Sequence, residues 1–207
     1  MLRVYGQYRS RAFRVIWLCK ESNIPYEHVD VTINQAGASA KEPWYVEINP
    51  NARVPSIGDD GVTMWESAAI NLYLAEKYAS PLWPRAGDWQ AKSRMLQWAF
   101  YTSNDIEPNM ITVMQHRVMF PPERRDPALA DAADARLQPG LKIMEDQLSR
   151  SKHFGAERWD MADFMVASVC YSFFAMKYDL SKYPRFQKWL LESIERPAAK
   201  EARALRE

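Results

Sequence analysis

The chain has 207 residues, of which 47% are hydrophobic and 13% aromatic, so it can fill a sizeable core. Its 27 basic and 26 acidic residues nearly cancel, which excludes a general electrostatic attraction to nucleic acid or to anionic membranes. No apolar run approaches the roughly 20 residues that span a bilayer, and several arginines interrupt the stretch where a signal peptide would lie. These features predict a cytoplasmic protein with a small-molecule partner.

The two cysteines, Cys19 and Cys170, lie far apart and form no Cys-x-x-Cys or His–Cys cluster. They are too few for a disulfide framework, and neither is expected to bind zinc, so no metal is predicted. Each falls on an apolar helix face and is interpreted as a buried, inert thiol. The missing Cys-x-x-Cys also disfavours a dithiol oxidoreductase.

The N-terminal part of the chain alternates between strand and helix patterns. A strand, an apolar helical stripe and a second strand form a βαβ unit with parallel strands. A short helix, two strands joined at Asp60-Gly61 and a further helix complete a βαβαββα order. An α/β thioredoxin-like domain is therefore expected over residues 1–78. The predicted strands are 2–5, 24–31, 54–57 and 62–64, the later helices are 42–47 and 67–78, and 34–40 is a loop.

Residues 79–88 contain two prolines and a glycine, which forbid a continuous helix, so they are interpreted as a linker. Helical periodicity dominates afterwards and predicts an all-α C-terminal domain over 89–207. Within it, Pro108 is expected to kink or end a helix, and Pro139-Gly140 indicates a break in a long helix over 126–149.

Asp160 and Asp163 have the spacing of a capping box, with Trp159 and Phe164 placed as a hydrophobic staple. They predict the start of a buried helix that runs to about Met176, and both aspartates are interpreted as structural. The tail over 183–207 is expected to form a packing helix with a charged end.

The most informative stretch begins at Asn49 and reads NPNARVPSIGDDGVTMWESAAINLYLAEKY. Pro55 cannot donate a main-chain hydrogen bond, which leaves nearby backbone free to pair with a ligand. At the predicted helix start, the Ser67 hydroxyl beside unpaired first-turn amides suits a carboxylate, while Glu66 suits an ammonium group. Together these residues predict a site for a zwitterionic amino-acid group; singly, each fits an ordinary turn or cap.

This stretch resembles the glutathione transferase superfamily, and Ala162-Asp163 in the capping-box segment supports the resemblance independently. The resemblance points to cytosolic, bacterial-like, serine-type members and implies the glutathione transferase fold, glutathione as co-substrate and a homodimer. It also implies a cis bond before Pro55, main-chain pairing of Val54 with the cysteinyl unit, and contacts of Glu66 and Ser67 with the γ-glutamyl end. These roles require Ser67 to be accessible to solvent.

An enzyme of this kind must hold the glutathione sulfur as a thiolate, because the thiolate is the nucleophile. Ser10 follows the first strand and stands four residues before Arg14, which is similar to the serine-type classes whose Ser donates to the sulfur. Ser10 is therefore the candidate catalytic residue and a glutathione contact. An ordinary N-cap role stays open, and Tyr5 and Tyr8 are rivals because other classes use a tyrosine here.

The glycine end of glutathione carries a second carboxylate, and some serine-type classes contact it with histidines that this chain lacks near Ala40 and at Ala52. Lys41 and Arg53 are the nearby cations that we expect to replace them. None of the histidines has a catalytic-looking setting, and all are interpreted as structural or exposed: His28, His116 and His153.

The electrophile pocket is expected between the two domains, lined by Tyr8, Tyr101, Asn104, Met110 and Met114, because a soft apolar wall suits varied substrates. A stripe of Met and aromatic residues at helical spacing also fits a core, and this alternative stays open. The predicted function is a cytoplasmic glutathione transferase of detoxification, in which the thiolate attacks a small hydrophobic electrophile. Two alternatives stay open: a glutathione-dependent disulfide reductase or peroxidase, and a non-catalytic binding protein with the same fold.

Overall fold

The computed structural model describes residues 1–33, 36–155 and 157–206. Asn34 and Gln35, at the start of the predicted loop, and Glu207, at the end of the predicted tail, lie outside the described residues. The chain divides into two compact units: Met1–Trp83 with the residues from Arg196 onward, and Pro84–Glu195. Among the described residues, none of the helices combines the length and apolar character that crossing a membrane requires.

The sheet of the first unit has four strands in the order β2-β1-β3-β4. β1 pairs parallel with β2 through Leu2↔Tyr26, as the βαβ pattern predicted, and antiparallel with β3 through Tyr5↔Ser56. β3 and β4 form a hairpin around Asp60-Gly61. The strands are β1 (Leu2–Tyr5), β2 (Tyr26–Val29), β3 (Ser56–Asp59) and β4 (Val62–Trp65).

The helices of the first unit are α1 (Ala12–Glu21), α2 (Pro43–Val46), α3 (Ser67–Lys77) and the C-terminal α9 (Pro197–Ala204). All eight residues from Ala12 to Cys19 are buried, because α1 lies between the sheet, α3 and α9. The sequence assigned 89–207 to one helical domain. The structure instead groups α9 with the first unit, since Arg196-Pro197 ends the preceding helix and α9 packs on α1.

The second unit is helical. Its helices are α4 (Trp89–Tyr101), α5 (Glu107–Met114), α6 (Pro127–Arg150), α7 (Met161–Ala175) and α8 (Pro184–Ile194). A π-helical segment, Thr102–Ile106, joins α4 to α5, so the chain stays helical before Pro108. Proline has no main-chain N–H to donate, and a wider turn of this kind accommodates the missing hydrogen bond.

The break indicated at Pro139-Gly140 is absent, because α6 continues through both residues. Gly140 instead serves close packing: a Cβ built there would lie 2.4 Å from Cδ1 of Ile106. The capping box that begins α7 is confirmed, with the Asp160 and Asp163 carboxylates each accepting the reciprocal main-chain N–H. Asp163 is fully buried, and desolvation raises its pKa although several N–H donors oppose the shift.

Candidate functional site

In the first unit, β1 and β4 end and β3 begins at one edge of the sheet. Tyr5 of β1 pairs with Ser56 of β3, and Ser56 pairs with Trp65 of β4. The loop after β1, the segment before β3 and the start of α3 after β4 therefore meet at this edge. We call these segments, residues 6–11, 53–55 and 66–67, the strand-end site.

The Val54–Pro55 peptide bond is cis, as the resemblance predicted. Within the described residues, neither the main-chain amide nor the carbonyl of Val54 takes part in a hydrogen bond, although Val54 is buried. Buried main-chain polar groups are almost always paired. Val54 thus presents one donor and one acceptor that an extended peptide ligand can satisfy.

Tyr45 and Asn49, which the sequence interpretation missed, hold this segment from both sides. The Tyr45 hydroxyl donates to the Arg53 carbonyl at 2.7 Å and lies 2.9 Å from Oγ of Ser56. Nδ2 of Asn49 donates to the Arg53 carbonyl at 2.8 Å and to Oγ of Ser56 at 3.2 Å. The dipeptide Asn49-Pro50 is a sequence signal for a turn, but only the fold shows that the Asn49 amide reaches the Arg53 carbonyl. The two side chains fix Val54 and Pro55 between them.

Gly6, the residue after β1, lies directly against Val54. Its φ of +135° favours glycine, and a Cβ built there would lie 2.9 Å from Cβ of Val54 and 3.0 Å from Cβ of Ala12. Any larger residue must displace Val54 or the start of α1.

Replacement of Gly6 by alanine is expected to lower the free energy of unfolding by about 1–3 kcal/mol through strain and overpacking. Glutathione affinity should fall as well, because Val54 is displaced. Urea unfolding and calorimetric titration measure the two effects. Gly61→Ala is the matched control, since Gly61 also has positive φ but nothing lies within 4 Å of its added Cβ. Equal losses for both variants would show that the Val54 contact is unimportant.

Glu66 precedes α3 with φ of +74°, an uncommon conformation for a non-glycine residue, and its side chain is exposed. Ser67 differs from expectation: it is only 6% exposed, because Nη1 of the equally buried Arg14 donates to its Oγ at 3.3 Å. The Ser67 oxygen therefore accepts from Arg14. Its hydroxyl proton has no acceptor among the residues that the structure describes. A carboxylate at this point would accept that proton beside a buried guanidinium.

Ser10 is half-buried and already hydrogen-bonded. Its hydroxyl donates to the Gln7 carbonyl at 2.6 Å and accepts from the Ala12 amide at 3.1 Å. These bonds hold the turn that leads into α1, although the N-cap position of α1 is Arg11, whose side chain makes no capping hydrogen bond. The hydroxyl has one proton, so donation to a ligand sulfur requires it to leave the Gln7 carbonyl.

The rival tyrosines lie in different surroundings. Tyr5 is buried in a cluster with Val31 and Tyr45, so its side chain packs inward from β1. Tyr8 is half-buried and stacks on His28 with 4.0 Å between ring centroids. Nε2 of His28 lies 2.7 Å from the Gly6 carbonyl and, facing an acceptor, must donate to it. His28 thus supports the loop after β1.

The other histidines also make structural contacts. Nδ1 of His116 accepts from the Asp126 amide at 2.9 Å, and Nδ1 of His153 lies 3.7 Å from Oδ1 of Asp163. Lys41 and Arg53 are exposed, and neither side chain forms an ion pair within the described part of the chain. Both remain able to meet a ligand carboxylate.

The predicted pocket residues of the second unit separate into two groups. Tyr101 and Asn104 line a shallow cavity of about 560 Å³ beside the π-helical segment. Met110 is 0% exposed and lies in the core, so the expected contact between Met110 and substrate is wrong. Met114 does not line this cavity. An apolar stripe on a helix fits a core equally well. The cavity is more polar than predicted, lined also by Asp105, Asn109, Ala135, Arg136, Pro139 and Gly140.

The cysteines offer no alternative nucleophile. Both thiols are buried, and they form no disulfide with each other. Burial raises the pKa of Cys19 to about 12, so almost none of it is thiolate at neutral pH. In the described ranges, no group of three or more metal-binding side chains forms a metal centre.

Comparison with known proteins agrees with this geometry. The family profile described as "Glutathione S-transferase, N-terminal domain" matches residues 1–76, and "Glutathione S-transferase, C-terminal domain" matches residues 127–192. The chain is 26% identical over 205 residues to glutathione S-transferase GstB of Escherichia coli strain K12, covering 97% of this chain and 96% of GstB. It is 30% identical over 158 residues to glutathione S-transferase theta-1 of Rattus norvegicus, covering 74% and 65%.

Solved structures give the same result. A theta-class glutathione S-transferase from Xanthomonas axonopodis pv. citri, with glutathione bound, matches with a TM-score of 0.88 at 26% identity, covering 97% of this chain and 96% of that one. Two profiles of one family together match more than half of the chain. The chain belongs to the glutathione S-transferase family and is a glutathione transferase enzyme. Its thioredoxin-like first unit and helical second unit confirm the predicted fold class.

Proposed function

We propose that the strand-end site binds glutathione and holds its sulfur as a thiolate for attack on a small electrophile. The observation that carries the proposal is the pair of unsatisfied main-chain groups on Val54, which precedes a cis proline. Val54 lies at the same edge of the sheet as Glu66 and Ser67. The amide and carbonyl of Val54 would pair with the cysteinyl unit. Glu66 would bind the γ-glutamyl ammonium group. Ser67 does not meet the expected accessibility, so its role is proposed on its hydroxyl proton alone, which would be donated to the γ-glutamyl carboxylate.

Register explains why these groups fit one ligand. Ser56 lies opposite Trp65, so continuing the antiparallel ladder brings residue 55 towards 66 and residue 54 towards 67. A short peptide that pairs with Val54 then extends its amino-acid end to Glu66 and Ser67. Lys41 and Arg53 are proposed as the cations for the glycine carboxylate at the other end of the tripeptide.

Ser10 is proposed to stabilise the thiolate after its hydroxyl exchanges the Gln7 carbonyl for the sulfur. Lowering a thiol pKa by about two units requires roughly 2.7 kcal/mol of preference for the anion. One hydrogen bond to a charged acceptor contributes about 1.5–3 kcal/mol, so a single hydroxyl and the nearby amides of α1 suffice. The exchange is favourable because the sulfur anion is a stronger acceptor than a neutral carbonyl.

The electrophile is proposed to bind in the cavity beside the π-helical segment, in contact with Tyr101 and Asn104. The polar lining around Tyr101 favours a substrate with hydrogen-bonding groups over a purely apolar one. Comparison of aryl halides with glutathione-capped disulfides would separate conjugation from disulfide reduction. Detoxification, a homodimeric state and a cytoplasmic location complete the proposal, and they are supported by the family alone.

Calorimetric titration with glutathione tests the binding mode. Glu66→Gln should weaken glutathione binding about 10- to 100-fold, because the ammonium group then meets a neutral amide oxygen in place of a charged carboxylate. Glu76→Gln is the matched control, since Glu76 is an exposed glutamate at the far end of the same helix. Cysteinylglycine, which lacks the γ-glutamyl unit, should bind wild type and Glu66→Gln with nearly equal affinity. A uniform loss for both ligands would contradict the assigned role of Glu66.

A further inference from the structure

The C-terminal helix α9 lies along α1 and reaches the loop that carries Ser10. Its small side chains Ala199 and Ala202 are buried, which allows close approach to α1. The two helices run in opposite directions, because Arg196 contacts the end of α1 at Glu21 while Arg206 contacts its beginning at Phe13.

The contact between α9 and α1 is anchored at the end of α1 that lies away from Ser10. Arg196 binds Glu21 through two hydrogen bonds, from Nε at 2.8 Å and from Nη2 at 2.7 Å. Nε1 of Trp17 donates to the same carboxylate at 3.0 Å. The Glu21 side chain is only 6% exposed, so this paired fork fixes where α9 begins. Lys20, in the last turn of α1, forms an exposed bridge with Glu201 at 3.2 Å.

The near end contacts the loop after β1. The Arg206 guanidinium lies 4.8 Å from the ring centroid of Phe13, whose side chain is buried in the first turn of α1. Nε of Arg9 donates to the Arg206 carbonyl at 2.5 Å. Arg9 immediately precedes Ser10, so the last described residue of the chain contacts both sides of the candidate catalytic position.

We propose that Arg206 and Arg9 are positioning residues for Ser10: the C-terminal segment restrains the loop over residues 7–13 and so sets the direction of the Ser10 hydroxyl. This inference rests on the proposed function for the role of Ser10, whereas the restraint itself does not. Because Ser10 must exchange the Gln7 carbonyl for a sulfur, the loop has to hold the hydroxyl within reach of both. A loop without its C-terminal contact loses that alignment while Val54 and Glu66 stay in place.

Hydrogen exchange of the amides over residues 7–13 tests the restraint in the ligand-free protein. Arg9→Met removes the hydrogen bond to Arg206, and Phe13→Leu removes the ring under its guanidinium without a change of charge. Each should accelerate exchange in this segment by about fivefold. Lys20→Met is the matched control, because it removes one positive charge and one α1–α9 contact away from the loop; exchange there should remain as in wild type. Wild-type exchange in both Arg9→Met and Phe13→Leu would overturn the proposal.

Ligand measurements separate positioning from binding. S-methylglutathione has no thiol, so its affinity reports on Val54, Glu66 and Ser67 and should be unchanged in Arg9→Met. The pH at which bound glutathione ionises should rise in Arg9→Met and Phe13→Leu but not in Lys20→Met. A parallel loss of S-methylglutathione affinity would assign these residues to binding and overturn the positioning role. If wild type fails to bind glutathione, the proposed function fails, and the exchange experiment still decides whether the C-terminus restrains the loop.

Discussion

Replacement of Asp163 by alanine is expected to destabilise the helical unit by about 3–5 kcal/mol, the largest effect of any single substitution considered. Its buried carboxylate accepts from the amides of Phe154 and Gly155, both at 3.0 Å, and from Nε1 of Trp189 at 2.9 Å. It also closes the capping box with the Asp160 amide at 3.3 Å. Alanine would leave these donors unpaired in an apolar interior, where each unsatisfied group costs about 1–3 kcal/mol.

Urea unfolding measures this loss, and Asp88→Ala is the matched control. Asp88 also caps a helix of the same unit, accepting from the Ala91 amide at 2.9 Å, but that bond is exposed. Its loss should cost only about 1 kcal/mol. Similar costs for the two variants would show that Asp163 is an ordinary cap and not the centre of a buried network.

The same carboxylate makes stability depend on pH. Burial raises the pKa of Asp163 above the value of about 3.9 for an unfolded chain. Between these two values the native state keeps a proton that the unfolded chain has released. The part of the stability that depends on the titration of Asp163 is therefore fully present at low pH, and it decreases as pH rises through that interval. Asp163→Ala should remove this part of the pH dependence.

Ser10→Ala is expected to lower the rate of glutathione conjugation about 10- to 100-fold at neutral pH and to shift the ionisation of bound glutathione to higher pH. The physical reason is the loss of a hydrogen bond to a charged acceptor, which contributes about 1.5–3 kcal/mol. Stability should fall by only about 1 kcal/mol, because the bonds to Gln7 and Ala12 cap a turn. The substitution is not expected to change the conformation of the site, so the affinity for glutathione at low pH should be nearly unchanged.

Two further variants separate Ser10 from its rival. Ser10→Thr keeps a hydroxyl and should retain most of the pH profile, while Tyr8→Phe keeps the ring that stacks on His28 and removes only the phenol oxygen. Tyr8→Phe is expected to leave the ionisation of bound glutathione as in wild type. An unchanged profile in Ser10→Ala together with a shifted one in Tyr8→Phe would assign the sulfur contact to Tyr8.

Much of the fold was predictable because local patterns specify it. Alternation identified β1 and its parallel partner, Asp60-Gly61 identified the hairpin, and the capping-box spacing identified the start of α7. The packing of α9 on α1 was not predictable, since it joins residues almost two hundred positions apart through arginine contacts that periodicity does not encode. Continuation of α6 through Pro139 likewise depends on tertiary packing around Gly140.

The candidate site was predictable as a set of residues but not as a set of contacts. The motif identified Val54, Glu66 and Ser67, and the fold brings them to one sheet edge. Burial of Ser67 by Arg14 was missed, because a sequence shows spacing along α1 and not the approach of a guanidinium from another helix. The burial of Met110 could not be decided from the sequence, because an apolar helical stripe has the same spacing in a core and in a pocket.

The most direct test of the strand-end site is the pH titration of thiolate absorbance for glutathione bound at saturation to the wild-type protein. A free thiol ionises near pH 8.5, and the site should lower this value by about one to two units. If the thiol of bound glutathione has the same pKa as that of free glutathione, with binding confirmed by calorimetry in the same sample, the account is contradicted.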